Sequence, residues 1–203
     1  MVGCGPIGLM LVQVAHAAGA SRVVTVEPLA HRREAAARSG ADASLSPEEA
    51  TDREGVLDVV FEVAGNDNAV AIAMSLVRPG GRVVLVGIPD DDWTSFPASL
   101  ARRKGLTILM SRRMKETYPR AVHLVERKAV DLGPLVSHTF PLEEVAHAFS
   151  VAAKREGLKT VVMPGRGEQP VQRMAHQRYV DNCGPLRCAK RPPQNNSVVI
   201  SEL

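Results

Sequence analysis

Three glycines near the start of the chain are spaced for phosphate chemistry. Gly3-Cys4-Gly5-Pro6-Ile7-Gly8 fits the pattern G-x-G-x-x-G, and an acid, Glu27, follows 19 residues after Gly8. In a strand–turn–helix setting each part has a physical task. Gly3 permits a tight turn, Gly5 lets the backbone approach a pyrophosphate, and Gly8 lets helix and strand pack closely. Free N–H groups and the dipole at the start of a helix favour the phosphates. Glu27 can accept hydrogen bonds from the hydroxyls of an adenosine ribose. Its charge repels a 2′-phosphate, so NAD is preferred to NADP. The motif alone is a weak signal in a chain with 16 glycines. The elements around it decide its weight.

Those elements alternate. Pro6 to Gly19 reads as a helix that is apolar nearly all round, hence buried, with Pro6 suited to its first turn. Arg22 to Glu27 is strand-like, with three valines and a threonine. Ala30 to Ser39 is a charged, alanine-rich helix closed by Gly40. Leu57 to Val63 reads as a buried strand ending at Ala64-Gly65. Asn66 or Asp67 can cap a helix whose apolar positions Val70, Ala73, Met74 and Val77 follow helical spacing. Pro79-Gly80-Gly81 predicts a turn. Arg82 to Ile88, Leu106 to Met110 and Thr160 to Met163 read as strands, and Glu116 to Arg127 and Glu143 to Ala152 as amphipathic helices. Repeated βαβ units of this kind predict an α/β protein, a Rossmann-type doubly wound parallel sheet covered on both faces. Only Met1 and Val2 precede Gly3, whereas a strand needs about five residues. In the order 3-2-1-4-5-6 that first strand is central. Its truncation is expected to remove ladder partners on both sides and to expose apolar surface.

Composition bounds the rest. The chain has 203 residues, 45% hydrophobic and 23% charged, a globular balance. Only seven residues are aromatic, so the core must be built from Val, Leu, Ile and Ala. No apolar run approaches the roughly 20 residues that span a bilayer, so no membrane partner is expected. The start, MVGCGPIG, is not a secretory signal. Three cysteines do not make a disulfide framework, and a reduced, cytoplasmic setting is the default. The net charge of +3 comes from residues 164–203, with six basic and three acidic residues, while residues 1–163 sum to zero. Five of the 14 prolines also fall after residue 163. That segment reads as a basic, mostly disordered tail. It has Tyr179 but no other aromatic residue between its charges, a poor patch for nucleic acid.

GCGPIGLM, VVTVEPLAHRR, VFEVAG, RPGGRVVLVGIP and GLKTVVMP, in this order and spacing, resemble the cofactor-binding, C-terminal half of zinc-type medium-chain alcohol dehydrogenases, closest to the sorbitol/threonine dehydrogenase branch. The resemblance covers about residues 1–163, of which 135–163 include segments that return to a separate catalytic domain. It implies an NAD(H)-binding domain whose parent reaction is hydride transfer between NAD and a secondary alcohol or polyol. By this resemblance Gly5, Pro6, Ile7 and Gly8 meet the pyrophosphate, Glu27 the ribose, and Arg32 lies beside that ribose. Ala64 and Gly65 end the strand below the nicotinamide, Val86, Gly87 and Ile88 line its pocket, and Lys159 reaches the pyrophosphate. Arg32 can also be read as a solvated helix residue, Lys159 as a surface charge, and Gly87 as a close-packing glycine. The family's catalytic zinc is held by an N-terminal domain without counterpart here. Catalytic and metal-ligating residues are therefore expected to be absent, and the chain is expected to be a fragment that at most binds cofactor.

No substitute metal site stands out. The histidines do not cluster, the Cys183-x4-Cys188 pair with His176 is poor zinc spacing, and Asp90-Asp91-Asp92 reads as a solvated loop before a helix. Small size explains Cys4 in the glycine loop, although a helix N-terminus can activate a thiol. Ser137 to Phe140 and Thr160 to Met163 are expected to lack sheet partners. A second reading is a non-catalytic cofactor-binding or subunit-assembly module. It would form a homo-oligomer through the sheet edge near Leu106 to Met110.

Overall fold

The structure, a computed structural model, describes residues 1–112 and 117–164. The expectation of a disordered tail and the pair Cys183 and Cys188 with His176 lie outside the described residues. Short valine-rich runs form the strands. β1 (Val24–Val26) pairs in parallel with β2 (Ala43–Leu45). β3 (Leu57–Glu62), β4 (Val77–Leu85) and β5 (Thr107–Met110) form a second parallel set in that order.

Val2 joins the two sets, bridging to Val26 on one side and to Glu62 on the other. Parallel pairing sends alternate residues to opposite neighbours. Val26 N–H donates to Met1 O and Gly3 N–H to Val26 O, both at 2.8 Å, while Val2 N–H donates to Phe61 O and Val63 N–H to Val2 O, again at 2.8 Å. Met1 and Val2 are only 8% and 4% exposed. The expected loss of central ladder partners therefore does not occur. Two residues and the amide of Gly3 suffice to hold the first-strand position, because each supplies a group to the neighbour it faces.

Helices cover both faces. α1 (Pro6–Ala17) and α2 (Ala30–Arg38) pack on one face through Leu9, Val12, Ala35 and Ala36. α3 (Asp67–Leu76) covers the other through Val70, Ala73, Met74 and Leu76, with Leu100 and Ala101 of α4 (Ala98–Lys104) at its margin. α1 is not buried all round as its composition suggests. Only Gly8, Leu9 and Val12 are buried along it, because a helix lying on a sheet hides a stripe and not its whole girth. Asn66 caps α3 as expected, its Oδ1 accepting from Ala69 N–H at 3.0 Å. The far end of α3 is capped by Lys104, whose Nζ donates to the carbonyls of Met74, Ser75 and Val77 at 3.1, 2.6 and 2.9 Å. Pro79-Gly80-Gly81 lies within β4 as a bulge. The register passes from Leu57 opposite Val77 to Val59 opposite Arg82, so the extra residues loop out without ending the strand.

Beyond α5 (Tyr118–Glu126), the chain docks back on α1. The Gln13 side chain donates to Asp131 O at 3.0 Å and accepts from Asp131 N–H at 2.6 Å. β6 (Val136–Pro141) and β7 (Lys159–Met163) then pair in parallel with each other, flanked by α6 (Val145–Ala153). These are the two segments expected to be partnerless; each satisfies the other.

Two outcomes follow from the buried start. With a free amine, Met1 donates to Val24 O at 2.6 Å, and burial lowers the amine's pKa from 8.0 to about 6. The unfolded chain then binds this proton more tightly than the folded one. For a purified chain with its amine free at Met1, stability should therefore rise with pH between 6 and 8. Denaturant melts across that interval read the slope, and a flat or falling profile would contradict it. Cys4 is fully buried, and desolvation, with the nearby Glu27 charge adding to it, pushes its thiol up to about 11. It stays protonated, against the possibility of a helix-activated thiolate. Native protein treated with iodoacetamide at pH 7.5 should therefore leave Cys4 unmodified in the peptide mass map, and denatured protein should not.

Candidate functional site

The C-terminal ends of the strands carry nearly every residue singled out from the sequence. Gly3 turns the chain out of the first-strand position with φ of 101°, and its backbone rests against Ala64. α1 begins immediately afterwards, with Gly5 as its N-cap and Pro6 in its first turn. A Cβ on Gly8 would collide with the carbonyl oxygen of Gly3, so this helix can approach the strand only with glycine there. On the far side, a Cβ on Gly65 would stand 2.5 Å from Ile88 O, and one on Gly87 would strike the Gly65 amide. The loops after the first-strand position, β3 and β4 thus meet backbone to backbone. The sheet reverses its winding at this point, and such crevices hold ligands in open α/β sheets. Ile7 and Ile88 present exposed apolar side chains at 54% and 73%.

Glu27 follows directly on β1 and is 5% exposed. Its Oε2 accepts from Cys4 N–H at 2.8 Å and its Oε1 from Leu29 N–H at 3.2 Å. The carboxylate therefore braces the glycine loop from the side, and each oxygen keeps a further lone pair for another donor. Arg33, not singled out from the sequence, holds the turn beneath it. Its Nη1 donates to Glu27 O and Pro28 O at 2.8 and 2.6 Å.

Arg32 is not a solvated helix residue. Its Nη2 donates to Gly157 O at 3.1 Å, and its Nη1 lies 4.0 Å from where a Cβ on Gly5 would stand. Its buried Nε finds no hydrogen-bond partner among the described residues. A guanidinium with an unmet donor beside the glycine loop suits an anionic ligand. Lys159 begins β7 two residues after Gly157, so Arg32 ties that segment to the loop; the Lys159 side chain itself is exposed.

A second residue that the sequence does not single out is an acid. Glu62, the last residue of β3, is 1% exposed, and its Oε1 accepts from Ala64 N–H at 2.7 Å and Gly65 N–H at 2.6 Å. The available signal was an acid inside an otherwise apolar strand, Val59-Val60-Phe61-Glu62-Val63, ahead of Ala-Gly. Elsewhere, an open cleft of about 480 Å³ lies against Gln13, His16 and Arg127, towards the C-terminal end of α1; it contains none of the expected residues. Asp90-Asp91-Asp92 sits in a loop before α4, as expected. Among the described residues no group of three or more His, Cys, Asp or Glu could hold a metal ion. The donors present do not fit the zinc that the resemblance brings with it.

Known proteins agree with this architecture. The sequence profile of the zinc-binding dehydrogenase family matches residues 6–127. The chain is 34% identical over 175 residues to an L-threonine 3-dehydrogenase of Bacillus velezensis, covering 81% of this chain and 50% of that protein. It is 35% identical over 170 residues to a sorbitol dehydrogenase of Ovis aries, covering 79% and 48%. The chain therefore spans about half the length of the curated relatives it matches. Among solved structures, a zinc-binding-dehydrogenase-type protein of Sinorhizobium meliloti 1021, bound to NADP, superposes with a TM-score of 0.72 at 29% identity, over 80% of this chain and 51% of that one. Because that profile matches more than half of the chain, the chain belongs to the zinc-binding dehydrogenase family.

Proposed function

We propose that residues 1–163 form the NAD(H)-binding half of a dehydrogenase whose parent reaction moves a hydride between NAD and a secondary alcohol or polyol. The observation that carries this reading is the convergence of Gly5, Glu27 and Arg32 on one side of the crevice with Ala64, Gly65, Gly87 and Ile88 on the other. Gly5, Pro6, Ile7 and Gly8 would hold the pyrophosphate with backbone N–H groups at the start of α1. The unmet Nε of Arg32 supports a phosphate or ribose oxygen nearby. Lys159, exposed at the start of β7, would add a second cation. Glu27 would take the ribose hydroxyls. Although the Sinorhizobium meliloti relative is bound to NADP, a carboxylate at this position favours the nucleotide without a 2′-phosphate. Val86, Gly87 and Ile88 would bound the nicotinamide. Bound there, the dinucleotide supplies hydride acceptor and donor chemistry, and this chain's part is to orient it. No step through zinc is assigned to these residues. Cysteine usage favours a reducing cytoplasm, and no helix among the described residues is long and apolar enough to cross a membrane.

The test is a titration of the purified chain with NADH, followed by fluorescence and thermal shift, with NADPH alongside. Saturable binding with NADH preferred is expected. Glu27→Gln should narrow that preference by about tenfold. An unchanged preference would remove Glu27 from the ribose.

A second reading rests on β5. Among the described residues it pairs only with β4, and Leu109 and Met110 are 44% and 73% exposed on it. An open apolar edge supports self-assembly. Light scattering on the wild type and on Met110→Lys should show a dimer in the first and a monomer in the second; equal masses would argue against this edge.

A further inference from the structure

Glu62 has a role in the site that the nucleotide-binding reading does not use. We propose that its buried carboxylate biases the crevice toward the oxidised dinucleotide, NAD⁺, over NADH. The inference rests on the reading that the nicotinamide lies against Ala64, Gly65 and Gly87.

Glu62 is 1% exposed, so water screens it little. Both hydrogen bonds to Ala64 and Gly65 fall on Oε1. Oε2 points the other way, 2.6 Å from where a Cβ on Gly87 would stand. Glu62, Gly65, Gly87, Asn66 and Thr94 help line a cavity of about 30 Å³, room for roughly one water. Among the described residues no cation lies within ion-pair distance of Glu62. A lone negative charge therefore lies directly beneath the three residues proposed to support the ring.

The ligand changes charge at that end. The nicotinamide ring carries a positive charge in NAD⁺ and none in NADH, while the adenosine and phosphate ends are unchanged. A fixed carboxylate one side-chain layer away attracts the first form and is indifferent to the second. A merely structural Glu62, propping the loop through Ala64 and Gly65, would affect both forms equally.

Calorimetric titration of the full chain with NAD⁺ and NADH separates these roles. Glu62→Gln keeps an oxygen for the Ala64 and Gly65 amides and removes the charge. Its affinity for NAD⁺ should fall by about tenfold, with that for NADH changed by less than about twofold. Equal changes in both, or none, would overturn the proposal. Asn66→Asp gives a second reading if the glutamine variant does not fold. It retains a cap for α3 and adds a charge to the same cavity, so NAD⁺ should tighten several-fold relative to NADH; an unmoved ratio would overturn the proposal equally. Wild-type chain that binds neither nucleotide would instead defeat the dinucleotide reading itself, and this inference with it.

Discussion

The sheet depends on the backbone groups on either side of Val2. Four hydrogen bonds, each 2.8 Å, run from Met1, Val2 and Gly3 to β1 on one side and β3 on the other. Without them β1–β2 and β3–β4–β5 would be separate ladders, each with an open inner edge. The same residues lead directly into Gly3 and the start of α1. The segment that joins the two halves of the sheet therefore also sets the height and direction of the glycine loop. Fold and site share one support.

Two buried glutamates flank that support. Glu27 lies just past the strand on one side and Glu62 ends the strand on the other. Each gathers two backbone N–H groups from loops that have left the sheet, Cys4 and Leu29 for the first, Ala64 and Gly65 for the second. A strand end leaves amides with no ladder partner, and burying them unpaired is costly. An acid at the final strand position satisfies them and holds the loops near the crevice. It also sets a buried carboxylate on each flank of the first-strand position. Arg32 is the nearby counterweight on the glycine-loop side, tied through Gly157 to the β6–β7 segment.

Much of this was legible in the residues, for reasons of range. The glycine spacing, Glu27 and the alternation of valine runs with helical patterns are local signals, and the described strands and helices follow that alternation. The asparagine cap at Asn66 and the packing helix from Asp67 to Leu76 are equally local. Pairing over long separations was not legible. Nothing in Val136–Pro141 shows that it will find Lys159–Met163. Ala43–Leu45 has no period at all and becomes a strand only because β1 needs a neighbour. Composition overstates the breadth of burial on α1, because it does not reveal which stripe faces the sheet. Arg32 and Glu62 show the same limit inside the site. Whether a charged side chain points into solvent or into a loop 125 residues away is decided by tertiary contact. A single acid in an apolar strand does not say which amides it will meet.

The floor of the crevice is made of main chain. Gly65 lies on Ile88 and Gly87 on Gly65 at distances that exclude even a methyl group, and Gly3 lies close on Ala64. Such a surface cannot be retuned one side chain at a time, since any addition there separates the strands beneath. Variation is open only at the rim, where Ile7 and Ile88 project without crowding the backbone. Divergence among proteins built on this plan should therefore accumulate in the walls while the base keeps one shape.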